Sequence, residues 1–186
     1  VLRPAPGRLL VATPVIGDPN FERTVVLLIE HDAAGGTVGL VLNRPTDTAL
    51  LDPMPEWQRL AAHPPVVFGG GPVEPDRAFC LARSRPGKEA DDRFDPIVGN
   101  VGTLDLNVDP DTLGSAIDEV RIFAGCAGWG PGQLGAELEA GAWWVVEGSA
   151  DDPVDTEPDR LWRTVLARQP SELQLFADYP TDPGVN

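Results

Sequence analysis

The stretch FAGCAGWGPGQL, residues 123–134, decides how the chain is read. Small residues surround one cysteine, Cys126, and Gly130-Pro131 follows at once. Proline at the first helical position presets φ, so a strand over VRIFAG, 120–125, is expected to turn sharply into a helix. Leu134 and Leu138 fall at i, i+4 on that helix, and Gly141 stands where a left-handed cap would end it. A nucleophile elbow needs small residues two positions either side of the reactive one, and Ala124 and Gly128 half meet that need. The elbow also needs a base, and the chain has two histidines, His31 and His63. Free cysteine is among the most buried residue types. The expectation is a tight turn holding an inert thiol, with Trp129 wedged between helix and sheet.

Outward from this turn the pattern alternates strands with short helices. RLLVA at 8–12 reads as a strand, followed by GDPNF at 17–21, where proline, aspartate and asparagine favour a turn. TVVLLIE at 24–30 is apolar on both faces, as a buried strand should be. It pairs in a hairpin with TVGLVLN at 37–43, across a loop longer than two residues. Arg44-Pro45 ends that strand. Short helices are expected over 55–62, with Trp57, Leu60 and Ala61 on one side, and over 109–117. Strands are expected over 65–73, 77–83 and 101–108. WWVV at 143–146, apolar on both faces, reads as a central strand. Thr156 and Asp159 resemble a capping box before a helix with a stripe of Leu161, Trp162, Val165 and Leu166. The polar run 84–95, with Glu89, Asp91 and Asp92, reads as a solvated, mobile loop. Hairpin-like neighbours favour α+β over a regular βαβ alternation.

A chain of 186 residues carries its own core, so one domain is expected, with a body over about 7–168 and a loosely held tail over 169–186. Net charge is −15, from 29 acids and 14 bases. So acidic a surface repels nucleic acid and anionic membranes at long range. It leaves room for a local arginine site, since Lys88 is the single lysine and every other base is arginine. Two cysteines, Cys80 and Cys126, imply no disulfide framework, and no apolar run is long enough for a membrane span. A cytoplasmic location follows as the expectation.

Five ordered segments carry a family resemblance: TPVIGDPNFERTVVLLIEH, GLVLNRP, FGGGPVEPDRAF, AGWGPGQL followed by E-x-x-x-G-A-W, and DRLWRTVL. In this order, over about residues 7–168, they resemble the YqgE/AlgH family of bacterial proteins. The resemblance implies an α+β fold with a strongly bent mixed sheet, largely antiparallel and partly barrel-like, flanked by helices. Asp18, Pro19, Phe21, His31, Gly128, Trp129, Gly130 and Gln133 are the structural positions of its motifs. It implies no established activity, although one branch of the family is called a transcriptional regulator. Cys126 stands where related proteins typically carry tyrosine, and Ala82 where many carry histidine, so no family role at either position carries over.

The polar residues of most interest are Asn43, Arg44 and Arg77. Two guanidiniums at neighbouring strand ends, with backbone donors from Gly70 and Gly71, would hold a carboxylate or phosphate. Against this, each arginine has an acid nearby in sequence: Asp47, Glu74 or Asp76. The glycine run lacks the lysine and hydroxyl residue of a phosphate loop and reads as a structural turn. His31, between Glu30 and Asp32, has carboxylates on either side in sequence, but strand alternation sends Glu30 to the opposite face. A loop-anchoring role is expected, and no metal or cofactor is implied. Three functions follow. The first is a non-catalytic binding or regulatory module for a protein partner or small anionic ligand. The second is a hydrolase or transferase using His31. The third, disfavoured by charge, is a direct DNA-binding regulator through Arg160, Arg163 and Arg168.

Overall fold

The apolar runs form the strands, and together they make one sheet. The computed structural model describes residues 2–88 and 92–180. The strands are β1 (Arg8–Ala12), β2 (Val25–Asp32), β3 (Gly36–Val41), β4 (Pro45–Ala49), β5 (Val66–Gly69), β6 (Val73–Ser84), β7 (Phe94–Val98), β8 (Val101–Leu104), β9 (Ile117–Trp129) and β10 (Trp143–Glu147). Three short helices are α1 (Gln133–Glu139), α2 (Leu161–Ala167) and α3 (Ser171–Ala177). The sheet runs β10-β1-β2-β3-β9-β6-β8-β7, with β4 and β5 as a branch. β5 joins β9 in parallel, Phe68 opposite Phe123. The other pairings between named strands are antiparallel. The sheet curls into a half-barrel with helices against it, the α+β architecture that the sequence implies.

The decisive stretch does not turn at Cys126. β9 runs on through Gly125, Cys126, Ala127 and Gly128, and pairs with β3 at Ala127, Gly128 and Trp129. Close approach explains it. A Cβ on Gly70 would lie 2.2 Å from the Gly125 oxygen, and one on Gly71 only 2.3 Å from the Cys126 carbonyl. Small residues let the turn after β5 lie directly on the β9 backbone. The chain turns later, over residues 130–132, and α1 follows with Leu134 buried and Gly141 at φ +75 past its end.

Several local expectations change for identifiable reasons. β3 stops at Val41, before Arg44-Pro45, and Pro45 instead opens β4, where a first-position proline interrupts no central ladder. β10 is an edge strand. Its two-faced apolarity comes from Trp129 against Trp143 (5.9 Å) and Phe176 against Trp144 (4.8 Å). The helices expected at 55–62 and 109–117 are short 3-10 helices, Pro55–Leu60 and Pro110–Leu113, the latter capped by the Asp109 carboxylate. No capping box forms at Thr156. A 3-10 turn, Pro158–Arg160, leads into α2 without a side-chain cap, and Asp155 instead accepts from the Glu157 amide at 2.7 Å. Ser84 belongs to β6, and Phe94 and Asp95 to β7. Glu89 and Asp91 lie outside the described residues, while Asp92 is exposed. The tail also holds structure, because α3 seats Phe176 on Trp144; residues 181–186 lie outside the described set.

The core forms three clusters, and β9 contributes to each. Phe123 and Cys126 join the stripe of α2, namely Leu161, Trp162, Val165 and Leu166, all buried as expected. Ile117, Val120 and Ile122 pack with Trp57 and Leu60. Ala127 and Trp129 pack with Leu134 and Trp143.

Candidate functional site

Two motif segments distant in sequence meet at one end of the sheet. Asp18 accepts from the Asn20 amide (2.9 Å) and Asn20 Nδ2 (3.0 Å), and its carbonyl accepts from the amides of Phe21 and Glu22. This tight turn points Phe21 at Trp143 (5.6 Å) and Trp129 (6.1 Å). Glu137 Oε2 accepts both indole N–H groups, from Trp129 and Trp143, each at 2.8 Å. Gln133 completes the clasp: its Nε2 donates to Glu137 Oε1 at 3.0 Å, and its Oε1 accepts from the Gly130 amide at 3.0 Å. Ring separations of 5.6–6.1 Å are those of aromatic pairs in direct contact. The clasp residues are therefore tied to one another, and they border a cavity of about 300 Å³ whose walls include Ile16, Phe21, Gln133 and Trp143. Sequence patterning placed Asp18, Phe21, Gly128, Trp129, Gly130, Gln133 and Glu137 in motifs but missed Glu137 as the common acceptor of Trp129, Trp143 and Gln133.

The far side of the same turn borders a cavity of about 240 Å³ lined by Pro19, Asn20, Val41, Arg44, Gly69, Gly71 and Pro72. Arg44 is half-buried in its wall. Its Nη2 donates to the Glu22 carbonyl, and its own carbonyl accepts from the Gly69 amide at 2.8 Å. Burial holds its pKa below the ordinary guanidinium value, against the opposing fields of Glu22 and Asp159. No carboxylate of a described residue forms an ion pair with it.

Of the other members of the expected anion site, Gly71 lines this cavity with Arg44, whereas Asn43, Gly70 and Arg77 do not. Asn43 is buried and fully used, accepting from the Val25 amide (2.9 Å) and donating to the Arg23 carbonyl (2.8 Å). Gly70 is packed against β9 as part of the structural turn. Arg77 pairs with Glu74 at 3.2 Å and lies over Phe79. It lines a different groove, of about 770 Å³, with Met54, Thr103 and Asn107 among the walls. Of the two arginines, the ion-pair expectation thus holds for Arg77 and not for Arg44.

His31 lies in β2, where Nδ1 meets the Thr37 hydroxyl at 2.7 Å across the hairpin. It faces an open groove of about 550 Å³ shared with Glu30, Asp32, Val73 and Trp129. The expected anchoring role is fulfilled through a side chain rather than the backbone. Cys126 is buried, and desolvation first, then Glu74, raise its thiol pKa while Arg77 opposes them. Cys80 is buried and its thiol is pushed up by desolvation alone. Of the proposed basic patch, Arg160 pairs with Glu157 and Arg168 with Asp152. No group of three or more metal-ligating side chains occurs among the described residues. Nor does any described helix have the length and apolarity to cross a membrane.

The residue sequence reasoning missed altogether is Arg121 of β9, 2% exposed. Its Nη1 donates to the carbonyls of Pro153 (3.1 Å) and Asp155 (2.9 Å), its Nη2 to that of His63 (2.5 Å), and it lies 4.2 Å over Phe68. A cation inside VRIFAG was the only hint.

Comparison with known proteins settles the lineage. The AlgH-like family model matches residues 9–174. The chain belongs to the AlgH-like family. This AlgH-like chain is 49% identical to a UPF0301 protein of Streptomyces avermitilis, over 97% of its own length and 94% of the relative's. A UPF0301 protein of Mycolicibacterium smegmatis is 42% identical, over 97% and 90%. A crystal structure of a Corynebacterium diphtheriae protein matches with a TM-score of 0.90 at 31% identity, covering 96% of this chain and 94% of that one. The solution structure of AlgH from Pseudomonas aeruginosa matches at 0.68 and 28%, covering 98% and 100%.

Proposed function

We propose that this AlgH-like chain is a non-catalytic binding module that takes a carboxylate or phosphate group, free or carried by a protein partner, in the Arg44 cavity. The observation that carries the reading is the state of Arg44. Its guanidinium is half-buried and desolvated, gives one bond to a carbonyl, and forms no ion pair with a described carboxylate, although Glu22 and Asp159 act on it from farther off. A guanidinium offers five donors in a fork that matches oxyanions. Such a group at a cavity wall gains most from an anionic guest. Any effect on transcription then runs through a partner, in the cytoplasm, because a net charge of −15 repels DNA and two of the three arginines in and beside α2, Arg160 and Arg168, are ion-paired.

The test is calorimetric titration with orthophosphate and with malonate at low salt. Binding to the wild type, weakened about tenfold or more in R44Q and unchanged in R77Q, is the expected result; one lost charge-assisted contact is worth about 1.5–3 kcal/mol. Absence of binding by either anion, or equal binding by R44Q, overturns the reading. A hydrolytic role for His31 has the neighbouring groove and the Thr37 hydroxyl in its favour. Against it, no carboxylate of a described residue hydrogen-bonds the imidazole to orient it as a base.

A further inference from the structure

The turn that walls the Arg44 cavity also anchors the C-terminal segment. Arg23, at the end of that turn, has φ +52, a left-handed backbone uncommon outside glycine and asparagine. Such a conformation persists only where its surroundings enforce it. The Arg23 carbonyl is held by Asn43 Nδ2. Its guanidinium carbon lies 4.9 Å from the Trp162 ring centroid. Its Nη2 donates to the carbonyls of Tyr179 (2.9 Å) and Pro180 (2.5 Å). Tyr179 and Pro180 thereby roof a cavity of about 130 Å³ whose walls include Thr13, Ile16, Glu22 and Trp162. Among the described residues, this segment is otherwise tied back only locally. The Tyr179 amide bonds to the Phe176 carbonyl at 3.0 Å, and the two rings sit 6.5 Å apart, near the outer limit for an aromatic pair.

We propose that residues 178–180 form a releasable strap, latched by Arg23, that closes the Trp162 cavity and steadies the wall of the Arg44 site. Its second half rests on the anion-binding reading of Arg44. The link is Glu22. This residue precedes Arg23 in the chain, lines the strapped cavity, and gives its carbonyl to Arg44. With the latch closed, the turn over residues 17–22 is held from both sides. With the latch open, Arg23 loses two of the contacts that enforce its left-handed backbone, and the turn relaxes away from Arg44. Linkage makes the effect mutual: an anion on Arg44 tightens the strap by the factor by which the strap tightens the anion.

The test uses the full chain as wild type, R23Q, R23K and Y179A. Hydrogen exchange at the Tyr179 amide is measured with the ¹⁹F resonance of fluorotryptophan at Trp162. R23Q is expected to speed the exchange about tenfold or more and to shift the Trp162 resonance toward solvent. R23K, which keeps a cation over the ring, restores part of both, and Y179A, which keeps both carbonyl acceptors of the latch, changes exchange at that position much less than R23Q does. Unchanged exchange and an unmoved resonance in R23Q, or exchange in Y179A as fast as in R23Q, overturn the strap. Orthophosphate binding weakened about fivefold in R23Q supports the coupling, and equal affinity overturns it. If the wild type binds no phosphate, the Arg44 reading fails, and the exchange and fluorine data decide the strap without it.

Discussion

Replacing Arg121 with methionine sets two large effects against each other. Burial holds the Arg121 pKa down to about 10 from 12.5, so the fold disfavours its charge despite Glu119 and Asp155 nearby. At 1.36 kcal/mol per pH unit the desolvation amounts to about 3 kcal/mol, which methionine would recover. The same change strips the carbonyls of His63, Pro153 and Asp155 of a charged donor. Each such bond contributes about 1.5–3 kcal/mol, and methionine offers the three acceptors nothing. The acceptors win: R121M is expected to lose about 2–5 kcal/mol. For a chain of this length that lowers Tm by about 5–15 °C. Urea unfolding followed by tryptophan fluorescence measures the first quantity and a thermal scan the second. R121M as stable as the wild type, or more so, would show that the guanidinium is a tolerated burden rather than the tie between β9 and the segments around His63 and Asp155.

Two further outcomes are expected. E137A leaves the buried indole N–H groups of Trp129 and Trp143 without an acceptor and should cost about 2–4 kcal/mol, with altered emission from both rings; a loss below about 0.5 kcal/mol in urea unfolding would show the clasp to be held by ring packing alone. Cys80 and Cys126 should resist Ellman's reagent in the native state at pH 8 and react on unfolding, since burial raises both thiol pKa values in the fold. A folded pKa above the unfolded one gives stability that is complete below the unfolded value, about 8.5, and is lost as pH rises past it. Urea midpoints should therefore fall above about pH 9, and rapid native labelling would contradict both expectations.

Strand content was legible because it rests on apolar runs: β1 matches residue for residue, and the β2–β3 hairpin and the α2 stripe lie where the pattern puts them. The failures share a cause. Glycine was read as a signal to turn at Cys126, whereas Gly125, Gly70 and Gly71 serve close approach of one backbone to another, which no local pattern encodes. β10 was read as central because two-faced apolarity does not say whether a strand or a helix covers each face. Arg44 lines a cavity, but its pairing with Arg77 required a convergence of strand ends that tertiary geometry does not provide. Arg121 escaped notice, and Glu137 stood in the E-x-x-x-G-A-W motif without a role, because their partners, three distant carbonyls and two indoles, are assembled only by the fold.

The length of β9 carries a consequence of its own. One continuous run of backbone supplies side chains to all three apolar clusters and ladder bonds to β3, β5 and β6. No cluster can melt while the others stay intact without severing that shared spine, so the half-barrel should come apart as one cooperative unit. A lesion in any cluster is then felt across the whole molecule, and the strap beyond α3 is the natural exception, free to move on its own.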